Sequence, residues 1–262
     1  MRFGLTGKRA IVLASSRGLG YACALELARE GCDLVICSRS RERIDAAAVR
    51  IRDATGARVH PIATDVSTAD ALPLLAETCV REFGGIEIAV HNAGGPPAGS
   101  VPTLTDEQWH LAFNANLMSF VRLARVVTPE MRKAGYGRLI ALTSSSIRQP
   151  IPNLTLSNAM RTGVLGIAKT LSKELAPDGI LVNVVAPGRI ATERLDELDR
   201  ANAERTGQTP EEVRRASVGT IPLGRLGTPE ELANLVVFLA SEAASYITGS
   251  AIMVDGGMIG TM

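Results

Sequence analysis

The chain has 262 residues, of which 46% are hydrophobic, 21% charged and 3% aromatic, enough to bury a sizeable core in one large domain or two small ones. Twenty-eight Lys+Arg against 27 Asp+Glu leave a formal net charge of +1, without the basic excess of a general nucleic-acid binder. No apolar run approaches the ~18–20 residues that span a bilayer, so neither a nucleic-acid nor a membrane partner is expected.

The N-terminal segment MRFGLTGKRAIVLASS lacks the long apolar stretch and cleavage site of a signal peptide. Cys23, Cys32, Cys37 and Cys79 form no C-x-x-C pair. Together these features point to reduced thiols in a soluble, cytoplasmic protein. His60, His91 and His110 have no H-x-x-x-H spacing and no cysteine partner, so no metal is expected.

In chain order, apolar runs at Arg9–Leu13, Asp33–Cys37, Arg58–Ala63, Ile86–His91, Arg138–Thr143, Leu181–Ala186 and Ile252–Val254 predict strands. Near-continuous apolarity suits strands covered on both faces. Between them lie helical patterns at Leu19–Arg29, Arg41–Asp53, Thr68–Phe83, Thr105–Ala134, Ser157–Leu175 and Thr228–Ser241. Gly31 reads as the C′ residue of the first helix, and Thr228-Pro229-Glu230-Glu231 as N-cap, N1 proline and acidic first turn of the last. Alternating strands and helices predict α/β architecture, a doubly wound and mostly parallel seven-stranded sheet with helices on both faces. No linker or repeat divides the chain, so residues 1–262 form one domain. The charge-rich stretch from Glu193 to Gly219 reads either as a solvated helix pair or as a mobile lid.

After the first strand comes Ala14-Ser15-Ser16-Arg17-Gly18-Leu19-Gly20, followed by a helix. Glycines at such a junction let the backbone approach a pyrophosphate, whose charge then sits on the helix N-terminus. Further on stand Asp65-Val66 after the third strand, His91-Asn92-Ala93-Gly94 after the fourth, Asn114-Ala115-Asn116-Leu117 on the long helix Thr105–Ala134, and Pro187-Gly188-Arg189-Ile190-Ala191-Thr192. The tail runs Ile221-Pro222-Leu223-Gly224-Arg225 through Asp255-Gly256-Gly257.

In these motifs the sequence resembles the short-chain dehydrogenase/reductase family, including its 3-oxoacyl-carrier-protein reductase-like members. The family's T-G-x-x-x-G-x-G is matched at Gly18 and Gly20, with Leu13 and Ala14 in place of Thr and the first Gly. Its N-N-A-G is matched with His91 for the first Asn, and N-x-N-L and P-G-x-x-x-T follow in order. The resemblance covers nearly the whole chain and implies a Rossmann-type dinucleotide domain. It assigns the cofactor to Ser15, Ser16, Arg17, Gly18, Leu19, Gly20, Ser38, Arg39, Asp65, Val66, Asn92, Gly94, Arg161, Pro187, Gly188 and Ile190. It also implies a homotetramer, joined through the helices Thr105–Ala134 and Ser157–Leu175 and through the apolar stretches Ala233–Ala240 and Ile247–Val254.

Charge selects the nucleotide. An acid at the end of the second strand accepts from the ribose hydroxyls of NAD and repels a 2′-phosphate. Here Ser38 stands at that place with Arg39 beside it, and Arg17 lies in the glycine turn. Planar guanidinium groups suit bidentate phosphate recognition, so NADP(H) is expected.

The family's chemistry uses an Asn, a Ser that holds the substrate oxygen, a proton-donating Tyr and a Lys one helical turn beyond. Asn116 and Ser144 match the first two. The thirteen-residue step from Ser144 reaches Ser157, and Arg161 lies four further on, where the family has Y-x-x-x-K. The expected catalytic set is therefore Asn116, Ser144, Ser157 and Arg161. An (i, i+4) pair shares a helix face, but guanidinium holds its proton at neutral pH and an alkyl hydroxyl is a weak acid. Losing a general acid costs ~10²–10⁴ in rate, and activated enones or quinones suffer least. His91 is expected at a strand end as a packed residue. Two outcomes stay open: an oxidoreductase acting on a carbonyl or alcohol, or an NADP(H)-binding sensor or scaffold of little activity. Arg148, Arg161, Arg189 and Arg194 flank the expected cleft, which suits an anionic small-molecule substrate such as a 3-oxoacyl carrier thioester.

Overall fold

A computed structural model describes residues 3–261. Met1, Arg2 and Met262, included in the domain expected over 1–262, lie outside the described residues. Seven strands form one sheet: β1 (Arg9–Val12), β2 (Asp33–Ser38), β3 (Val59–Ala63), β4 (Ile88–His91), β5 (Gly137–Leu142), β6 (Ile180–Pro187) and β7 (Ala251–Val254). Their order is β3-β2-β1-β4-β5-β6-β7. Every neighbouring pair is parallel, so the sheet is parallel throughout.

The apolar strands need cover on both faces, and two cores supply it. Val12, Leu34, Ile36, Val90 and Ile140 point to one side, towards α1 (Gly18–Arg29), α2 (Arg41–Thr55) and α9 (Pro229–Ala240). Ile11, Val35, Ala89, Leu139 and Val182 point to the other, towards α3 (Ala71–Phe83), α5 (Ser119–Ala134) and α6 (Thr155–Glu174). Strand alternation sorts residues one apart onto opposite faces. The apolar run of α9 is spent inside this core, whereas β7 keeps a half-buried outer edge.

Two helices depart from the sequence pattern. The segment from Thr68 opens as a turn in which Asp65 Oδ1 accepts from the Ser67 amide at 3.0 Å, so α3 starts only at Ala71. The helix expected from Thr105 to Ala134 is broken into α4 (Asp106–Ala112), a π-helical segment (Phe113–Met118) and α5. One extra residue per turn re-aims the side chains that follow, and such bulges gather at functional sites. Gly163 of α6 makes room for it, because a Cβ there would stand 2.5 Å from Leu117 Cδ1. The polar stretch forms a helix pair, α7 (Glu193–Thr206) and α8 (Pro210–Val218). It packs inward through buried Leu195, Asp199, Ala203 and Val213.

From β1 the chain winds out to β3, then returns to lay β4 on the other side of β1. Loops leaving β1 and β4 therefore diverge, and in such sheets the crevice beyond the strand ends at this switch is the ligand site.

Candidate active site

A cleft of about 890 Å³ opens there. Its first wall is the turn after β1. Ala14 takes φ 48 and Gly18 φ 57, left-handed conformations that glycine adopts freely and alanine only with strain. A Cβ on Gly20 would lie 2.4 Å from Ala14 O and 2.7 Å from Asn92 Nδ2. Asn92 itself donates to Ala14 O at 3.2 Å, tying the β4 loop to the turn across the switch. Arg17 is the N-cap of α1 and makes no side-chain cap bond, leaving first-turn amides for an anion.

Most expected nucleotide residues line this cleft: Ser16, Arg17, Gly18, Leu19, Ser38, Arg39, Asp65, Val66, Asn92, Gly94, Pro187, Gly188 and Ile190. Ser15 and Gly20 do not. Ser15 is fully buried and its hydroxyl donates to Val12 O at 2.8 Å, while Gly20 is needed for close packing. Both shape the turn from behind.

Beyond β2, Arg39 and Arg43 are exposed at the cleft and, among the described residues, have no carboxylate partner. Arg41 lies 3.8 Å from Asp45 and stays outside. Arg43 was not singled out in the sequence. Its signal was its place in the first turn of α2, where the Ser40 side chain accepts from the Arg43 amide at 3.2 Å. Arg17 differs from expectation: its guanidinium pairs with Glu193 and lies 3.5 Å from Glu197, both on α7.

At the far end, the π-helical segment turns Asn116 onto the cleft wall, buried, with Nδ2 on Ala112 O at 3.2 Å and Oδ1 without a partner. Ser144 follows β5, and its oxygen accepts from the Ser146 amide at 3.2 Å. Ser157 and Arg161 stand one turn apart on α6, and Arg161 Nε donates to Ser157 Oγ at 3.3 Å. Nη1 donates to Leu142 O at 3.1 Å and Nη2 to Ala93 O at 3.5 Å. In each serine the oxygen is held as an acceptor, which frees the hydroxyl hydrogen to donate into the cleft. Burial, and then the charge of Arg194, push the Arg161 guanidinium down to about 10, which leaves it cationic at neutral pH.

The four arginines expected to flank the cleft separate. Arg148 is exposed outside it. Arg189 is held by buried Asp199 at 3.1 Å, which also accepts from Arg214 at 2.9 Å. Arg194 reaches from α7 to Pro96 O at 3.2 Å and lies against Gly95, bridging the cleft mouth. His91 is buried outside the cleft lining, with its ring 5.2 Å from Phe120 in an edge-on arrangement.

A parallel doubly wound sheet with a glycine turn at its switch point defines a dinucleotide-binding α/β protein. The chain belongs to the short-chain dehydrogenase/reductase family. The profile described as Enoyl-(Acyl carrier protein) reductase matches residues 13–259. The short-chain reductase protein NovJ of Streptomyces niveus is 36% identical over 248 residues, 95% of this chain and 92% of NovJ. The 3-oxoacyl-[acyl-carrier-protein] reductase FabG of Thermotoga maritima is 33% identical over 257 residues, 97% of this chain and 99% of its own. L-sorbose reductase from Gluconobacter frateurii, solved with NADPH and L-sorbose, superposes with a TM-score of 0.95 at 35% identity, covering 100% of both chains. The proteins it resembles are oxidoreductases.

Proposed function

We propose that the chain is an NADP(H)-dependent reductase of a small carbonyl-bearing substrate, in which Ser157 and Arg161 stand where the family carries its Tyr and Lys. The observation that carries this reading is the convergence of Asn116, Ser144, Ser157 and Arg161 at one end of a cleft whose other end is the glycine turn. The free guanidinium groups of Arg39 and Arg43 beside Ser38 suit a 2′-phosphate. The turn at Gly18, packed closely from behind at Gly20, and the open N-terminus of α1 suit a pyrophosphate. The solved relative bound to NADPH supports the same choice.

Such a cofactor supplies a hydride at its nicotinamide ring. The chain's own residues do the rest. Ser144 and Ser157 donate hydrogen bonds to the substrate oxygen, Arg161 orients Ser157 and meets negative charge, and Asn116 holds an acceptor at the cleft wall. Arg161 also stands where the family's Lys holds the nicotinamide ribose. Arg161, which among the described residues pairs with no carboxylate, favours an anionic substrate such as a 3-oxoacyl thioester. Helices α7 and α8 act as a lid, tied to the turn through Arg17 and to the β4 loop through Arg194. The half-buried outer edge of β7 supports assembly as a homotetramer, and four buried, unpaired cysteines support a reducing, cytoplasmic setting.

The test is NADPH consumption across a broad carbonyl panel, beside NADPH affinity measured by nicotinamide fluorescence. Tight binding with no consumption favours the sensor or scaffold, and no binding sinks both readings.

A further inference from the structure

We propose that Asn158 is a positioning residue for substrate selection: its side chain clamps Ile151 to helix α6 and so fixes an apolar wall of the cleft relative to Ser157. The inference rests on the reductase reading and concerns how that site holds the body of its substrate.

The wall is formed by residues 149–154, between the turn at Ser145–Ile147 and α6, and all six line the cleft. Pro150 and Pro152 carry no amide hydrogen, so Ile151 between them offers the one N–H of that stretch. A residue preceding proline is also disfavoured in helical backbone, which applies to both Gln149 and Ile151. The strip therefore has few bonds of its own. The Leu154 amide donates to Ile151 O at 3.2 Å, closing a turn through Asn153, which takes φ 62. Its far end is tied to the loop after β4: the Gly99 amide donates to Asn153 O at 2.8 Å, and the Thr155 amide to Gly99 O at 3.3 Å.

At Ile151 the remaining bonds come from a side chain. Asn158 Oδ1 accepts from the Ile151 amide at 3.2 Å, and Nδ2 donates to Ile151 O at 3.0 Å. A carboxamide carries donor and acceptor side by side, so it pairs with one residue's N–H and C=O as a neighbouring strand would. Asparagine is a poor helix former, yet it stands in the first turn of α6. Its own backbone needs nothing from the side chain there. The Asn158 amide donates to Leu154 O at 2.9 Å, and its carbonyl accepts from the Thr162 hydroxyl at 2.8 Å.

Ser157 lines the cleft and Asn158 does not. The two neighbours thus divide the work. Ser157 meets the substrate oxygen, while Asn158 sets how far from that oxygen Ile151 and its flanking prolines stand. A wall held in place before binding spares the substrate the cost of ordering it.

The experiment reads the clamp and its consequence separately. Because Ile151 lies between two prolines, its amide is followed singly by NMR in protein labelled with ¹⁵N-isoleucine. Its hydrogen exchange is expected to be at least ~10-fold faster in N158A than in the wild-type protein, and to recover in part in N158D, which keeps an acceptor for that amide. Selection is read with benzylacetone and butanone, methyl ketones that differ by one phenyl ring. The ratio of their kcat/KM values, benzylacetone over butanone, is expected to fall at least ~3-fold in N158A through KM, with kcat and NADPH affinity held, and to recover in part in N158D. Equally fast exchange in the wild-type protein and N158A overturns the clamp. Faster exchange with an unchanged ratio, or with equal losses on both ketones, leaves Asn158 a structural tie and overturns the positioning role while the reductase reading stands. If the wild-type protein consumes neither ketone nor any other carbonyl compound, the reductase reading fails and the inference fails with it, even where exchange shows the clamp.

Discussion

His91 Nε2 lies 2.8 Å from the hydroxyl of Ser119, and that hydroxyl is already committed as a donor to Ala115 O at 2.7 Å. The ring nitrogen must therefore be the donor, which places the hydrogen of the neutral ring on Nε2 and leaves Nδ1 unpartnered. Burial, and then the charge of Arg161, push the ring down to about 3.

A pH signature follows from that neutral ring. Between about 3 and the ordinary 6.5 the unfolded chain binds a proton at His91 that the folded chain refuses. Stability from this residue is therefore whole above pH 6.5 and is lost as pH falls towards 3, by at most ~1.4 kcal/mol per unit. His91→Asn removes the effect. Urea midpoints at about pH 7 and about pH 5 should fall more in the wild-type protein than in H91N. Parallel declines would refute the assignment.

In the proposed reading, Arg39 beside Ser38 selects the nucleotide. Arg39→Ala should weaken NADPH about tenfold, the loss of one charge-assisted contact worth ~1.5 kcal/mol, and leave NADH unchanged. Titration of both nucleotides by fluorescence checks it, and an unaltered NADPH/NADH ratio would count against the 2′-phosphate site.

Ala14 carries strain that glycine would not. At φ 48 the Cβ costs roughly 1–2 kcal/mol, partly offset because glycine loses ~0.4–1 kcal/mol more on folding. Ala14→Gly should therefore gain about 0.5 kcal/mol, or about 1–2 °C in melting temperature. A lower melting temperature would show that the methyl group makes compensating contacts.

Ser157→Tyr combined with Arg161→Lys should install a proton donor on the face of α6 that lines the cleft. Turnover of benzylacetone is expected to rise by ~10²–10⁴ over the wild-type protein. Steady-state NADPH oxidation reads it, and no gain would mean that Ser157 and Arg161 do not occupy the family's Tyr and Lys positions.

The sequence by itself determined the strands, most helices and the glycine turn after the first strand, because those signals are local. Apolar runs such as Arg9–Val12 mark a buried strand wherever they occur, and Gly18 and Gly20 mark a tight turn through backbone freedom alone. Four residues apart on a helix also fixed Ser157 beside Arg161. Tertiary structure alone decided the rest, where the cause lies far along the chain. The π-helical segment that turns Asn116 to the cleft depends on space left by Gly163, 47 positions away. Arg17, Arg148, Arg161 and Arg194 look alike in sequence, yet Glu193 and Glu197 take Arg17, Arg148 points outside, and Arg194 spans the mouth. Of these four, Arg161 is the one held in the cleft without a carboxylate among the described residues, and a charge acquires that property from its neighbours in space.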